Sequence, residues 1–220
     1  MTTFPNSPRI LKAAIVLIDP GTGILPAPLV IALQYNPDTL SRSLQIKSIP
    51  ESGDHSEALR LKGPPVETIK LEAEIDATDQ LEFPDQNQTT LECGIFPQLA
   101  ALETIAYPTS RQLSQNDQAA DQGMLEIIPM ETPLALFVWS KSRVVPVRIT
   151  ELSITEEAFD ARLNPTRAKV SLGLRVLSVD DLGFAHKGGG VFMSHLAQKE
   201  KFAAQYIYGT AADLGLERIP

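Results

Sequence analysis

Cysteine is nearly absent from this 220-residue chain. Cys93 is the only one, so no internal disulfide can form and nothing in the sequence requires an oxidising compartment. Histidine is scarce as well. His55, His186 and His195 fall in no HExxH pattern and share no zinc-type spacing with a cysteine pair, so no metal ligand set is expected. Long apolar stretches are missing: the run at 13–18 is far short of the roughly 20 residues that span a bilayer, which argues against direct membrane insertion. Positive charge is in deficit, with 19 Lys and Arg against 27 Asp and Glu and a formal charge of -8. That balance disfavours a nucleic-acid partner, whose affinity would come from displacing counterions off phosphates. Residues 1–8 carry no basic leader or apolar core of a secretory signal, so a cytoplasmic location is expected.

What is present is a globular composition, 43% hydrophobic and 21% charged, in a length that suits one well-buried domain. Its main signal is alternation. Residues 67–76 read ETIKLEAEID, which puts Ile69, Leu71, Ala73 and Ile75 on one face of a half-buried strand. Residues 169–177 repeat the pattern with Val170, Leu172, Leu174 and Val176. Val147 and Ile149 occupy one parity and Leu152 and Ile154 the other, so that strand changes face near Thr150 and Glu151, as a β-bulge would make it do. Further strands are predicted over 10–19, 29–35, 39–47 and 134–139. Asp19-Pro20-Gly21-Thr22-Gly23 joins the first two, Asn36-Pro37-Asp38 is expected to pair the second and third as a hairpin, and 140–143 forms another hairpin tip.

Two helices are expected. Residues 97–106 space Leu99, Leu102 and Ile105 helically before Pro108 and would cap an open end of the sheet. Residues 190–208 form an amphipathic helix behind a flexible Gly188-Gly189-Gly190 hinge. The polar stretches 48–57 and 109–123 read as loops. The division that follows is a β-domain at 1–181 and a hinged helical extension at 182–220.

Catalytic chemistry finds little purchase. The histidines fall in or beside loops and tail, as exposed, non-catalytic residues do. Asp76, Asp79 and Glu82, like Asp180 and Asp181, follow strands and read as solvated turn formers, although paired acids could serve glycoside hydrolysis. The triple glycine lacks the Lys-Ser or Lys-Thr of a phosphate loop. Cys93 has no basic neighbour in sequence, and Trp139 ends an apolar strand as a core or interface anchor. No catalytic residue, cofactor or metal is expected. A β-domain of this kind acts through its surfaces, and unpaired edge strands offer one.

Four segments carry more specific information because they occur in order: LQYNPDTL at 33–40, LKGPPVETIKLEAEIDATD at 61–79, PLALFVW at 133–139 and VRITELSITEEAFD at 147–160. Together they resemble the tube-like domain of contractile injection systems. They are most similar to the inner-baseplate protein of phage-tail-like particles, over about residues 9–181. The resemblance implies a mainly β fold, two antiparallel sheets forming an open barrel or sandwich with a flanking short helix, to which the residues themselves add the C-terminal helical extension. It also implies a structural role: a ring, a hexamer, joining tube and spike hub to sheath and baseplate wedge. In that frame the Asn36-Pro37 turn, the Gly63-Pro64-Pro65 strand entry and the turn at 163–168 are framework positions. The family often adds a LysM module, but residues 188–220 do not open like one, so glycan binding is not carried over. A cap adaptor at the distal end of the tube and a small-ligand or glycan-binding β-barrel module are the alternatives. Phe192, Leu196, Phe202 and Tyr206 of the tail helix are the residues expected to dock on a neighbouring subunit or a sheath or wedge protein.

Overall fold

The structure is a computed structural model that describes residues 11–18, 28–48, 60–121, 123, 132–206 and 209. Alternating apolar residues make seven strands: β1 (Ala14–Ile18), β2 (Leu29–Ala32), β3 (Leu40–Gln45), β4 (Val66–Asp76), β5 (Leu134–Ser140), β6 (Arg143–Phe159) and β7 (Pro165–Val176). All pair antiparallel in one open sheet of order β2-β1-β5-β6-β7-β4-β3. The fold is mainly β with helices, as expected. The two sheets are not: there is a single one, because β6 is long enough to pair β5 with its first residues and β7 with the rest.

The face change in β6 is real. Thr150 is the extra residue between Ile149, opposite Leu174, and Glu151, opposite Gly173. It restores parity, so that Val147, Ile149, Leu152 and Ile154 all meet the inward residues of β7. Gly173 makes room for it. A Cβ there would lie 2.9 Å from Glu151 Cβ and 3.2 Å from Thr150 Oγ1. Pro146, buried in the same interior strand, costs the β5 ladder nothing. Its carbonyl accepts from Leu177 N at 2.9 Å, so the side lacking an N–H also faces away from β5, where β7 is ending.

The Asn36-Pro37-Asp38 segment does not make a hairpin. β2 pairs with β1 and β3 with β4, so residues 33–39 connect opposite margins of the sheet. Eight Cα steps from Ala32 to Leu40 reach at most about 28 Å. Six interstrand gaps in a flat sheet measure about 29 Å. The connection bends at residues 34 and 35, so the sheet has to curl to bring its margins together. The Gln34 amide holds the curl by bonding both the N–H and the carbonyl of Asp76, at the far end of β4. Asn36 Oδ1 meanwhile accepts from Ala13 N at 2.9 Å, at the start of β1.

The concave face is the core. Ile15, Ile69, Phe137, Val145, Val170, Leu172 and Leu174 are buried there and closed over by Ile95, Leu99 and Leu102 of the helical insertion between β4 and β5. That insertion comprises α1 (Thr78–Leu81), a 3-10 turn (Pro84–Gln86), α2 (Gln88–Cys93), α3 (Phe96–Glu103) and α4 (Ser110–Asp121). The expected capping helix is α3. Gly94 clips the insertion to the β6–β7 turn: Ile95 N donates to Pro165 O at 2.8 Å and Asn164 Nδ2 to Glu92 O at 3.0 Å.

Residues 109–123, expected as a loop, are largely the helix α4. It buries nothing, but Thr109 and Gln112 cap it reciprocally: Gln112 N donates to Thr109 Oγ1, and Thr109 N donates to Gln112 Oε1. The other expected loop falls mostly outside the described residues.

The C-terminal part adds α5 (Val179–Leu182) and α6 (Lys187–Ala204). Gly188-Gly189-Gly190, expected as a flexible hinge, is instead the first turn of α6, with His186 Nδ1 accepting from Gly188 N at 3.1 Å. The reason is packing: a Cβ on Gly189 would sit 2.0 Å from Gly183 O, and one on Gly188 2.5 Å from Leu182 Cδ1.

The three glycines should therefore respond differently to alanine. Gly190 has nothing within 4 Å of a Cβ, so Gly190→Ala should stabilise by about 0.5–1 kcal/mol through lost unfolded-chain freedom. Gly189→Ala must displace backbone and should destabilise by about 2 kcal/mol or more. Urea unfolding of both variants checks the pair, and equal tolerance at the two positions would restore the hinge.

Candidate assembly surfaces

Edge strands come first. Among the described residues β2 and β3 pair on one side only, leaving outward backbone donors and acceptors on both margins. Each margin also exposes apolar side chains: Leu29 and Val30 beside β2, and Leu44, Ile46 and Leu61 beside β3. A groove of about 320 Å³ runs along β2, lined by Leu29, Ile31, Leu33, Ala73, Pro97 and Leu102, and the buried Gln98 Oε1 has no hydrogen-bond partner among the described residues.

The convex face differs. Lys70 reaches Glu151 across Gly173 at 3.4 Å, Lys169 reaches Glu157 at 2.9 Å, and Arg167 reaches Asp76 at 2.7 Å. These exposed pairs contribute little stability, but they keep the part of the face over β4 and β7 polar. Asp76 also accepts from Thr78 N at 2.7 Å, and its hydrogen bonds with Thr78 and Arg167 lower its pKa against the opposing effect of burial. Asp79 accepts a long 3.5 Å bond from Tyr35. Asp181 caps α5 through Ser178 and holds Arg175 at 2.6 Å. The acids considered for hydrolysis thus include at least two in turn and cap roles.

Helix α6 supplies the third surface. The four residues expected to dock elsewhere divide along it. Phe192 packs against the core and Leu196 is half-buried, whereas Phe202 and Tyr206 are 51% and 68% exposed at the end of the helix. One turn between these groups faces a buried charge cluster that the sequence reading missed. Glu67, 7% exposed, lies at the start of β4 on the inward parity. Its carboxylate takes Lys199 Nζ of α6 at 3.0 Å and Arg42 Nη1 of β3 at 3.4 Å.

Arg143 stands nearby, its pKa lowered by desolvation and by Arg42. His195, expected to be exposed, is 7% exposed, and its Nδ1 has no partner among the described residues. Desolvation, with Lys199 adding to it, lowers the His195 pKa, partly opposed by Glu67 and a hydrogen bond to the Ser142 backbone. The only signal for this cluster was an acid at the inward parity of an alternating strand. His186 is the half-buried cap of α6, Cys93 is half-buried, and His55 lies outside the described residues. Trp139 packs on Phe137 with ring centroids 6.0 Å apart. No described helix is long and apolar enough to cross a membrane, and no His, Cys, Asp and Glu group among the described residues could hold a metal.

No family model matches the chain, and no curated protein matches it. Among solved structures, the chain is similar to one described as "Tail of empty GTA particle computed with helical refinement, C6 symmetry". The match covers 75% of this chain and 90% of that one at 12% identity and a TM-score of 0.30. A likeness of that size carries no argument about fold or function.

Two outcomes are expected at α6. Phe192→Ala should cost about 1–3 kcal/mol by opening the core contact, whereas Phe202→Ser should change stability by less than about 0.5 kcal/mol. Chemical denaturation separates them. The depressed His195 pKa means that the unfolded chain binds a proton first as pH falls. Its contribution to stability is full above the ordinary histidine value of about 6.5 and declines as pH falls from there through the lower folded value. Asp76 and Asp160, also lowered, lose theirs only below the ordinary carboxylate range. Urea midpoints at pH 8 and 5 should converge in His195→Leu and differ in the wild type; an unchanged gap would place the titration elsewhere.

Proposed function

We propose that this chain is a non-enzymatic structural subunit of a contractile injection system. In this reading it is a ring-forming inner-baseplate protein, a hexamer, that joins the tube and spike hub to sheath and wedge components. One observation carries the assembly part: a curled, open sheet with two different unpaired margins, each bearing exposed apolar residues. Different margins meeting head to tail make a heterologous contact, which closes into a ring when the rotation permits. The order of the four resembling segments supports the particle class, and the structure gives those segments coherent places: the 33–40 run is the tether between margins, and the 147–160 run is the bulged strand.

A ligand-binding barrel has less support. Its ligand would enter the concave face, but Phe137, Leu172 and Leu174 fill that face and α3 covers it. The exposed end of α6, with Phe202 and Tyr206, is the part of the helix suited to a sheath or wedge partner, since Phe192 serves the chain's own core.

Light scattering coupled to size exclusion, with negative-stain microscopy, tests the ring. The wild type at high concentration should give hexameric rings. Val30→Lys and Leu44→Lys, one on each margin, should each give folded monomers with unchanged far-UV circular dichroism. A wild type that stays monomeric at every concentration, and fails to join particles when co-expressed with tube and sheath proteins, would overturn the proposal.

A further inference from the structure

Lys70, Lys169, Arg167 and Arg175 each have an acid to pair with, but the cluster around Glu67 does not balance. At the junction of α6, β3 and the start of β4, Arg42, Arg143 and Lys199 share that single carboxylate. Glu67 Oε1 accepts from Arg42 at 3.4 Å and Oε2 from Lys199 at 3.0 Å, so both oxygens are engaged. Arg143 makes no ion pair among the described residues, and Glu67 is the acid that acts on its desolvated guanidinium, against Arg42. Three cations about one anion leave two positive charges unmatched and more N–H donors than acceptors.

His195 borders this cluster. The residue is 7% exposed, Lys199, Glu67 and Arg143 all act on its ring, and the ring donates to the Ser142 backbone carbonyl. Its Nδ1 is buried without a partner among the described residues, so the bond to Ser142 runs from Nε2. That fixes the tautomer: Nε2 carries the proton and Nδ1 is a buried, unused acceptor. Desolvation, which lowers the pKa, keeps the ring neutral near pH 7. His195 also lines a groove of about 490 Å³ between α6 and the β5–β6 turn, with Lys141 and Lys187 on its walls. Gly190 adds no side chain there, and a Cβ on it would meet nothing within 4 Å. The Arg42 and Lys199 side chains are 35% and 37% exposed, so an ion from solvent can reach the cluster.

We propose that this junction is a binding site for monohydrogen phosphate. A dianion cancels the unmatched charge, and its oxygens accept from Arg143 and from further N–H groups of Arg42 and Lys199. Its P–O–H donates to His195 Nδ1, and that bond selects among anions. Sulfate has the same shape and charge but no hydrogen, so it leaves Nδ1 unpartnered; a carboxylate lacks both the hydrogen and the second charge. Lys141 and Lys187 draw the anion toward the groove on a chain whose formal charge is otherwise -8. The site uses neither the free backbone edges nor the apolar residues of the margins, so it stands apart from the ring reading.

Isothermal titration calorimetry of the full-length chain tests this, with sodium phosphate and sodium sulfate as probes at fixed ionic strength and about pH 7.5, where the ring is neutral. Phosphate should saturate one site per chain, and sulfate should bind roughly tenfold or more weakly. Arg143→Gln should weaken phosphate about tenfold or more by removing the unmatched cation. His195→Leu should instead erase the preference and leave the two anions within about twofold of each other. Far-UV circular dichroism checks that both variants fold. Histidine-selective NMR of the wild type needs no variant: phosphate, and not sulfate, should shift the His195 Nδ1 resonance. Absence of saturable phosphate binding, equal wild-type affinity for the two anions, a folded Arg143→Gln that binds phosphate unchanged, a preference that survives His195→Leu, or an unmoved Nδ1 resonance at saturating phosphate would each overturn the proposal.

Discussion

Residues 33–39 join the two outermost strands of a seven-stranded sheet, and the length of that tether governs the shape of the molecule. A flat sheet would hold its margins about as far apart as the tether reaches when fully extended, and this tether is bent. The sheet is therefore curled, with Gln34 fixing the tether to the end of β4 and Asn36 fixing it to the start of β1. The bulge at Thr150 serves the same end from the middle of the sheet. It bends the longest strand while returning its apolar residues to the concave side, and Gly173 opposite leaves space for the distortion. Curl gives the core its concavity, α3 fills the opening, and the margins approach each other without joining in a ladder among the described residues.

The helices are integrated with that core by close contacts. Gly94 and Gly189 would each bring a Cβ to about 2 Å from a backbone carbonyl, Pro165 O in one case and Gly183 O in the other. The insertion and the C-terminal helix are thus attached at points where only glycine fits without backbone movement. Lys199 adds an electrostatic contact to the buried Glu67, joining α6 to β4 and, through Arg42, to β3. A buried carboxylate with two cationic partners is a poor source of net stability but a strong constraint on register, since losing a partner leaves charge in an apolar setting. The helix that looked detachable in sequence is held by glycine packing at its start, by Phe192 and His195 in its middle and by this ion pair near its end.

Much of the sheet was legible in the sequence. Alternation identified the inward residues of β4 and β7, and the parity switch located the bulge, because both depend only on the period-two geometry of a strand. Pairing was less legible. Asn36-Pro37-Asp38 has turn chemistry that fits a hairpin as well as a bent tether, and local chemistry holds no record of which distant strands become neighbours. The triple glycine misled for a related reason: glycine marks conformational freedom or close approach alike, and only Leu182 and Gly183 reveal which applies. The helix α4 had a readable signal that went unread, Thr109 followed three residues later by Gln112, while the Glu67 cluster joins residues 25 and 132 positions apart and had almost none.

Exposed apolar and exposed charged groups are both present on the surface. Backbone pairing and apolar burial are available at the margins, perpendicular to the strands. Apolar contacts are insensitive to salt, whereas exposed charge contacts weaken as the screening length shortens. The convex face is divided: over β4 and β7 it is polar, with Lys70, Arg167 and Lys169 in ion pairs, while over β2, β1 and β5 the exposed Val30 continues an apolar row with Val16 and Leu136. The polar part follows from the same alternation that built the core, whereas β5 is apolar on both faces and buried at four consecutive residues.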